Sequence, residues 1–531
     1  MLDDQPGFNN SKTGKKTAGW LIFAVISCVF LGFFVRVAFE VGGFESLSSD
    51  ELLYYKMLFM QVHAPQSDNF IPEWRRLTDF QEWIPAALYF VSDGKIESIA
   101  VGICFFNVMI SFLFSLLLFR RTGSFWAIVP FLVFMVFPMP AISYWGTQIS
   151  ELRAYFFYAV ILLWFAGRWF KDRLTVFCFG FLGAWGCWAN LLTAFFILPV
   201  LFYERERWFA DSWKIRFEKV ALLLSGVFAA SLFCFQSAPW ARWSQHGYTH
   251  YGFHSLEQLK NYAYLFFVIW PVYWFGGIPW GYLHNSQLGR FLNPGLESWE
   301  MTSAPFVFWF LWSWALMGTW MALKRRGKLN ELVWGWGPAV LLALFFIFGA
   351  QSWDALTLRY LAFWQFFLPT TLGLWASCLI NPFKNFQWCL VVGLWAAVHG
   401  FLLIEYFIKA PHENPGHHIE VVLEKNGYEA GYANYWVADL VNYYSGGRVL
   451  LEPYNHAPLN KKALAASREK NHVALVWVRG LDLPGSLPEV FRQLRSLGYL
   501  PSEKLDFEGE DWMILGFTRK NSPVRGGNNK S

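Results

Sequence analysis

The sequence predicts a polytopic α-helical membrane protein with about eleven transmembrane helices and a small C-terminal α/β domain. Three observations support this fold class. Hydrophobic residues make up 55% of the 531 residues and charged residues only 15%, against roughly 25% charged residues in soluble domains. Apolar runs of spanning length recur through most of the chain. The 31 Trp and 56 Phe suit a protein with many membrane–water interfaces. A soluble globular enzyme and a disordered chain are therefore excluded.

Charge and cysteine content narrow the class further. Lys and Arg number 43 against 38 Asp and Glu, and the net charge of +5 is spread over small clusters. A nucleic-acid-binding protein would concentrate its basic residues on one face, so no nucleic-acid partner is expected. The 7 Cys lie in or beside apolar runs and form no CxxC pair, which argues against a disulfide framework and a zinc site.

The predicted spans follow from the apolar runs. The run 174–203 is too long for one span and is interrupted by Gly183, Gly186 and Asn190, which predicts a hairpin of two short segments. Single spans are predicted at 18–39, 97–119, 125–142, 154–170, 220–236, 305–323, 332–350, 360–380 and 387–408. The segment 262–282 is also apolar, but prolines and glycines break it. We interpret it as an interfacial or re-entrant helix on the outer face.

The basic clusters predict the orientation. If Lys12–Lys16 are cytoplasmic and the spans alternate, every short basic cluster falls on the cytoplasmic side. These clusters are Arg120–Arg121, Arg168 with Lys171 and Arg173, Arg205 through Lys219, Lys324–Arg326 with Lys328, and Lys384. The first run is longer than a signal-peptide core and no cleavage site follows it, so we expect a retained span. The predicted location is a plasma membrane of the bacterial inner-membrane type, with a cytoplasmic N-terminus.

The domain organisation follows. We expect a cytoplasmic tail at 1–17, a transmembrane domain at 18–408, an extracytoplasmic α/β domain at 409–520 and a disordered tail at 521–531. The transmembrane domain carries an outer loop at about 40–95 and an outer insertion at about 237–304. In the α/β domain, strands are predicted at Val449–Pro453, Val473–Val478 and Trp512–Phe517, and helices at Ile419–Asn426, Tyr435–Tyr444 and Pro488–Leu497.

Acidic residues in two predicted outer loops are candidates for chemistry. Asp50 and Glu51 follow a Ser-Ser pair, so they could simply cap a helix and complement its dipole. They could equally form a general base at the membrane surface, where the low dielectric tunes a carboxyl pKa. Glu151 and Arg153 are either an interfacial ion pair or a second acid with its partner. Paired acids can also hold a divalent cation, and no other cofactor is predicted.

Arginine and histidine residues each have two interpretations. Arg359 and Arg36, at outer ends of predicted spans, could snorkel to the interface or bind an anionic phosphate. His399, in the last predicted span, is expected to be a buried polar contact rather than a catalytic group. His246, His250 and His254 recur every four residues, but the surrounding glycines argue against a helical metal site.

The order of these motifs resembles the GT-C glycosyltransferases, a superfamily that includes protein O-mannosyltransferases and the lipid A aminoarabinose transferase. The resemblance covers roughly residues 20–410. It rests on short motifs: Arg36 in the first span, Asp50-Glu51-Leu-Leu-Tyr54, the loop from Pro138 to Arg153 with Glu151, the double segment Leu174–Tyr203, and Leu358-Arg359-Tyr360 with Pro369.

The resemblance implies a function in cell-envelope glycan synthesis. Asp50 would take a proton from the acceptor, Glu51 would support it, and Glu151 would be the second acid. Arg359 would bind the phosphate of a polyprenyl-phosphate sugar, with Tyr360, Tyr54, Arg36 and Arg153 as further substrate-binding residues. The partners would be that donor, membrane lipid, and a glycan, lipid or protein acceptor. The alternatives are a membrane transporter and a non-catalytic scaffold that presents the C-terminal domain.

Overall fold

The described part of the chain is mostly helical and includes a small β-sheet towards the C-terminus. The computed structural model describes residues 83–93, 96–136, 157–161, 172–189, 192–203, 211–234, 253–275, 298–349, 361, 364–409, 415–454, 461–478, 487–508 and 512–519. The helices of the first part are α1 (Trp83–Val91), α2 (Ile96–Thr122), α3 (Val129–Val136), α4 (Arg173–Ala189), α5 (Leu192–Tyr203), α6 (Trp213–Cys234), α7 (Leu256–Tyr264), α8 (Trp270–Trp274), α9 (Ser298–Arg325), α10 (Glu331–Phe348), α11 (Trp364–Ser377) and α12 (Phe386–Lys409).

Short irregular helices join some of these elements. A 3₁₀ turn, Phe125–Ile128, leads into α3, and a second, Pro382–Lys384, precedes α12. A π-helical turn, Leu265–Ile269, joins α7 to α8 without a break. Residues 157–161 form a further helical turn.

The elements of the second part are α13 (Pro415–Lys425), β1 (Ala430–Ala433), α14 (Tyr435–Tyr444), β2 (Leu450–Pro453), α15 (Lys461–Glu469), β3 (His472–Val478), α16 (Leu487–Ser496), β4 (Tyr499–Glu508) and β5 (Trp512–Arg519). The predicted strands Val449–Pro453, Val473–Val478 and Trp512–Phe517 are confirmed within a residue or two. The same is true of the predicted helices at 435–444 and 488–497.

By length and hydropathy, the described ranges contain one candidate membrane span, Ser303–Arg325 within α9. The other apolar helical stretches found there are shorter: Phe125–Met135, Arg173–Cys187, Trp336–Phe348 and Phe386–Phe401. The described residues therefore do not support a count of eleven crossings. A helix needs about 20 apolar residues to cross the bilayer core, and these stretches fall below that length.

The predicted double segment at 174–203 is confirmed. Helices α4 and α5 occupy it, and α6 packs against α4. Glycines allow that close approach, because a Cβ on Gly180 would overlap the carbonyl oxygen of Leu223. A Cβ on Gly226 would likewise overlap the carbonyl oxygen of Phe177. Small residues at such crossings let two helix backbones touch.

Turns that carry basic residues meet at one end of the helical bundle. The Nη2 of Arg326, just after α9, donates to the carbonyl oxygen of Cys378 at the end of α11, at 3.1 Å. Trp126, in the turn after Arg120–Arg121, packs against Phe383 with ring centroids 5.4 Å apart. These contacts therefore bring together the basic clusters at Arg120–Arg121, Lys324–Arg326 and Lys384. The predicted alternation of spans assigns all three to the cytoplasmic side.

The segment from His254 to Trp274 packs inside the helical bundle. Next to its first residue, Phe253 pairs with Gly349 at the end of α10. At its other end, Trp274 contacts His399 of α12. Side chains between these contacts, such as those of Leu265, Ile269 and Trp270, are buried in the core of the bundle. That the segment is an interfacial or re-entrant helix on the outer face stays a prediction.

The sheet of the second part has strand order β2-β1-β3-β5-β4. Strands β2, β1 and β3 are parallel, and β5 and β4 add antiparallel pairs. Each face of the sheet has its own apolar cluster. One cluster includes residues of α13 and α14, such as Leu423 and Val441, and the other includes residues of α16, such as Val490 and Leu494. The result is a three-layer α/β/α unit.

Candidate functional sites

The eight site residues predicted from the sequence lie outside the described residues. They are Arg36, Asp50, Glu51, Tyr54, Glu151, Arg153, Arg359 and Tyr360. Their roles and the distances between them remain predictions. Asp93, an acidic residue of the predicted first outer loop, is described and exposed.

The first described residues after Arg359 in the sequence lead into a layer of aromatic rings. Leu361 is fully buried, and α11 begins at Trp364. The ring of Trp364 contacts Trp312 of α9 with centroids 5.1 Å apart and Phe266 of the π turn with centroids 5.6 Å apart. We call the group Trp274, Phe275, Phe308, Trp312, Trp364, Trp395 and His399 the aromatic layer.

Several indole N–H groups of the aromatic layer are buried without a hydrogen-bond acceptor. Within the described ranges this is true of Trp312, Trp364 and Trp395. The rings meet mostly edge to face; Trp312 and Trp395, for example, have an interplanar angle of 78°. In such contacts the partially positive edge of one ring meets the π face of the next ring. A π face is a weaker hydrogen-bond acceptor than an oxygen atom. The layer is therefore part of the packed core of the bundle.

His399 is held by one definite hydrogen bond in this layer. The Nε1 of Trp274 lies 2.9 Å from the Nε2 of His399, and both residues are almost fully buried. An indole N–H can only donate, so Nε2 must accept. The imidazole is therefore neutral and carries its proton on Nδ1. This confirms the expectation that His399 is a buried polar contact.

His254, the one described member of the histidine series at 246, 250 and 254, makes packing and hydrogen-bond contacts. His254 stacks on the ring of Tyr262 with centroids 4.1 Å apart. Its backbone N–H donates to the carbonyl oxygen of Phe348. Among the described residues there is no group of three or more His, Cys, Asp or Glu side chains that could hold a metal ion. His246 and His250 lie outside the described residues.

A buried carboxyl group in the α/β unit is a second candidate site. Glu452 is the third residue of β2, and its side chain is only 9% exposed. Its Oε1 lies 3.9 Å from the Nη2 of Arg468 in α15, which is a long ion pair. Its Oε2 has no hydrogen-bond partner within the described part of the chain. Burial raises the pKa of Glu452 from 4.5 to about 7, and the charge of Arg468 opposes that rise only in part.

Two phenol groups lie on the same side of the sheet as Glu452, that of Tyr432 on the adjacent strand β1 and that of Tyr499 on β4 at the opposite edge. Tyr432 of β1 is in register with Glu452. The hydroxyl groups of Tyr432 and Tyr499 both donate to the carbonyl oxygen of Ser467, at 3.2 and 2.8 Å, near the C-terminus of α15. Burial raises the pKa of Tyr432, and the nearby Glu452 carboxylate raises it further. These phenols are therefore neutral hydrogen-bond donors to the helix end.

Sequence reasoning missed Glu452. The signal was available, because a single charged residue interrupts the apolar run Val449–Pro453 that was itself predicted as a strand. A glutamate at an inward position of a short strand departs from the usual exposure of carboxylates. Its long ion pair with Arg468 could not be read from the sequence, because the fold brings α15 near β2.

Comparison with protein-family models and with curated proteins finds no match for this chain.

Proposed function

We propose that this protein is a membrane glycosyltransferase of the GT-C type, which transfers a sugar from a polyprenyl-phosphate donor to an acceptor on the extracytoplasmic face. The observation that carries the proposal is the order of the sequence motifs. The motifs occur along the chain in the same order as in the superfamily: Arg36, Asp50–Tyr54, Glu151 and Arg359–Tyr360. The predicted alternation of basic clusters assigns all of them to the outer side.

Membrane embedding is supported by the outer surface of α6. Phe217, Leu224, Phe228 and Leu232 recur along one side of this helix, and each exposes more than half of its side chain. Soluble proteins rarely expose such a continuous apolar stripe, whereas lipid chains cover it readily. We propose that this stripe faces lipid and that the protein crosses the membrane more often than the one span that length and hydropathy identify.

The proposed reaction is a single displacement. The acceptor oxygen attacks the anomeric carbon of the donor sugar and forms the new glycosidic bond, while the bond from that carbon to the phosphate oxygen breaks. The polyprenyl phosphate leaves with the bonding electrons, and Arg359 stabilises its charge. Asp50 takes the proton of the acceptor, and the anomeric centre inverts. Fixed cations near a leaving phosphate provide a large part of the rate gain in such reactions.

Release of polyprenyl phosphate tests the proposal directly. The purified full chain would be incubated with defined polyprenyl-phosphate sugars, and mass spectrometry would measure the released polyprenyl phosphate. We expect turnover by the wild type and a loss of about 10²–10⁴-fold in Asp50→Asn, because a general base contributes about that factor. Asp93→Asn is the matched control, since Asp93 is exposed and its change should leave turnover intact.

Two outcomes would contradict the proposal. If no donor is consumed by wild-type protein that is folded, the transferase function is wrong, and a scaffold that presents the α/β unit becomes the better explanation. If the wild type moves a solute across the membrane without any transfer reaction, and Asp50→Asn abolishes that flux, the protein is a transporter.

A further inference from the structure

Basic side chains are concentrated where α2, α9 and α11 end. Two contacts join the turns that follow these helices: Arg326 donates to the carbonyl oxygen of Cys378, and Trp126 packs against Phe383. We call the exposed cations in and beside these turns the basic end. They are Arg120, Lys324, Arg325, Arg326, Lys328 and Lys384.

Within the described ranges, no carboxylate forms an ion pair with the basic end. The ion pairs found there lie elsewhere, at the starts of α4 and α6 and in the α/β unit. The turns at 120–126, 324–331 and 377–386 contain one acid, Glu331, which is only partly exposed. The basic end therefore carries a positive charge that an anion can neutralise.

Arg326 is held in position to meet such an anion. The chain reverses at Gly327, whose φ of 64° lies in the left-handed region that glycine adopts without strain. The backbone N–H of Lys328 donates back to the carbonyl oxygen of Leu323 at 3.0 Å, which closes the end of α9. One nitrogen of the exposed guanidinium group of Arg326 is used by Cys378, and its other N–H groups are available to an oxyanion.

Large apolar side chains are exposed in the turn between α11 and α12. Ile380 is 94% exposed, Phe383 58% and Phe386 76%. The turn is fixed, because the Oδ1 of Asn381 accepts from the backbone N–H of Phe383 at 3.0 Å. Lys384 lies between the two phenylalanines in the sequence. A soluble anion or a nucleic acid would leave these apolar side chains in water, whereas the acyl chains of a lipid would cover them.

The basic end also coincides with the end of a candidate membrane span. That span, Ser303–Arg325, finishes inside the basic run of α9 and its turn. Basic residues at the end of a span are attracted to anionic lipid headgroups, and each strengthens binding by about fivefold. Basic pockets between the ends of membrane helices bind such headgroups.

We propose that the basic end binds an anionic phospholipid: Arg326 and Lys384 contact the headgroup phosphate, and the exposed apolar side chains at 380–386 contact the acyl chains. The planar guanidinium group of Arg326 suits two parallel hydrogen bonds to phosphate oxygens, and Lys384 adds a point charge. The site depends on the membrane embedding proposed for the bundle but not on the transfer reaction.

Native mass spectrometry of the full chain in a non-ionic detergent tests this site. The probes are palmitoyl-oleoyl phosphatidylglycerol and palmitoyl-oleoyl phosphatidylcholine, which share their acyl chains and phosphate, although choline compensates the negative charge. We expect the wild type to bind phosphatidylglycerol more tightly than phosphatidylcholine by roughly tenfold or more. Arg326→Gln combined with Lys384→Gln should remove that preference and leave the affinity for phosphatidylcholine unchanged.

Single variants separate a built site from general surface charge. Lys384→Gln should weaken phosphatidylglycerol binding by about fivefold. It keeps the test informative if the double variant fails to fold without the bond from Arg326 to Cys378. Lys214→Gln is the matched control, because Lys214 is an exposed lysine at the start of α6, outside the three turns. It should bind as the wild type does. Ile380→Ser should weaken both lipids alike, since it removes an acyl contact and no charge.

Three results would overturn the proposal. One is equal affinity of the wild type for the two lipids. Another is a loss of phosphatidylglycerol affinity in Lys214→Gln as large as that in Lys384→Gln. The third is displacement of the lipid by equimolar inorganic phosphate or polyglutamate, which would indicate a soluble phosphate or an acidic protein segment as the ligand. No readout involves sugar transfer, so failure of this site and failure of the transferase proposal stay distinguishable.

Discussion

The indole Nε1 of Trp274 donates to the Nε2 of His399 at 2.9 Å, across 125 positions of sequence. This bond ties the segment from His254 to Trp274 to α12. Both side chains are buried, so neither group can exchange its partner for water. The bond therefore fixes the imidazole ring and the end of that segment together.

Replacing Trp274, which makes this bond, should destabilise the bundle more than the same replacement of a buried tryptophan that makes no such bond. Trp274→Phe leaves Nε2 of His399 without its donor, and an unpaired buried acceptor costs about 1–3 kcal/mol. Trp395→Phe is the matched control, because Trp395 is equally buried and its N–H has no acceptor in the described part of the chain. Unfolding titrations in detergent should give Trp274→Phe the lower stability by about 1–2 kcal/mol. Equal stabilities of the two variants would show that the bond contributes nothing.

The close contact of α4 with α6 makes a second prediction. Gly226→Val would force a side chain into the carbonyl oxygen of Phe177, which is backbone and cannot rotate away. The two helices would have to separate, at a cost of about 1–3 kcal/mol, the usual range for overpacking. Gly393→Val in α12 is the control, because a Cβ there meets no atom within 4 Å. Thermal unfolding should show a lower midpoint for Gly226→Val only; a similar midpoint in both variants would contradict the packing.

The helices and strands that the sequence predicted well are those with strong periodicity. Helix α14 begins and ends at the predicted residues, Tyr435 and Tyr444. The elements that sequence reasoning missed lack such a pattern. Strand β1, Ala430–Ala433, is short and has no β-branched residue, although all of its residues are buried. Strand β4 contains Pro501 and several charged residues, which an edge strand tolerates and a central strand would not.

The candidate sites differ in how far sequence can predict them. The motifs around Asp50 and Arg359 are local, so their order along the chain could be recognised, but the distance between them is set by long-range packing and stays a prediction. The Glu452 site has no local motif. It forms because the pairing of β1 with β2 puts Tyr432 in register with Glu452 and α15 brings Arg468 near, and that register is a property of the fold.

The outer strand of the sheet provides a third prediction. β2 is an edge strand, and the side chain of Asn442 in α14 pairs with it. Its Nδ2 donates to the carbonyl oxygen of Leu451 at 3.0 Å, and its Oδ1 accepts from the backbone N–H of the same residue at 2.5 Å. Asn442→Asp would place a buried carboxylate against that carbonyl oxygen, so stability should fall by about 2 kcal/mol or more.

Asn426→Asp is the control for this substitution. The Nδ2 of Asn426 also donates to a backbone carbonyl oxygen, that of Val422, but at an exposed position where water can replace it. Limited proteolysis over a urea series should cleave the α/β unit of Asn442→Asp at lower urea than the wild type. The Asn426→Asp protein should resemble the wild type. Cleavage of both variants at the same urea concentration would argue against a special role for Asn442.

The buried carboxyl group of Glu452 predicts how stability depends on pH. Its pKa is raised from 4.5 to about 7 in the folded protein, so the folded state binds the proton more tightly than the unfolded state between these values. The free energy of unfolding contributed by this group therefore falls as pH rises through that interval and levels off above it. The total loss is on the order of 3 kcal/mol, at about 1.4 kcal/mol for each unit by which the pKa is raised.

Glu452→Gln has no proton to lose and should lack this loss. Between pH 5 and pH 8 the unfolding midpoint should fall more for the wild type than for Glu452→Gln. Equal pH dependence in the two proteins would mean that Glu452 is solvated in solution.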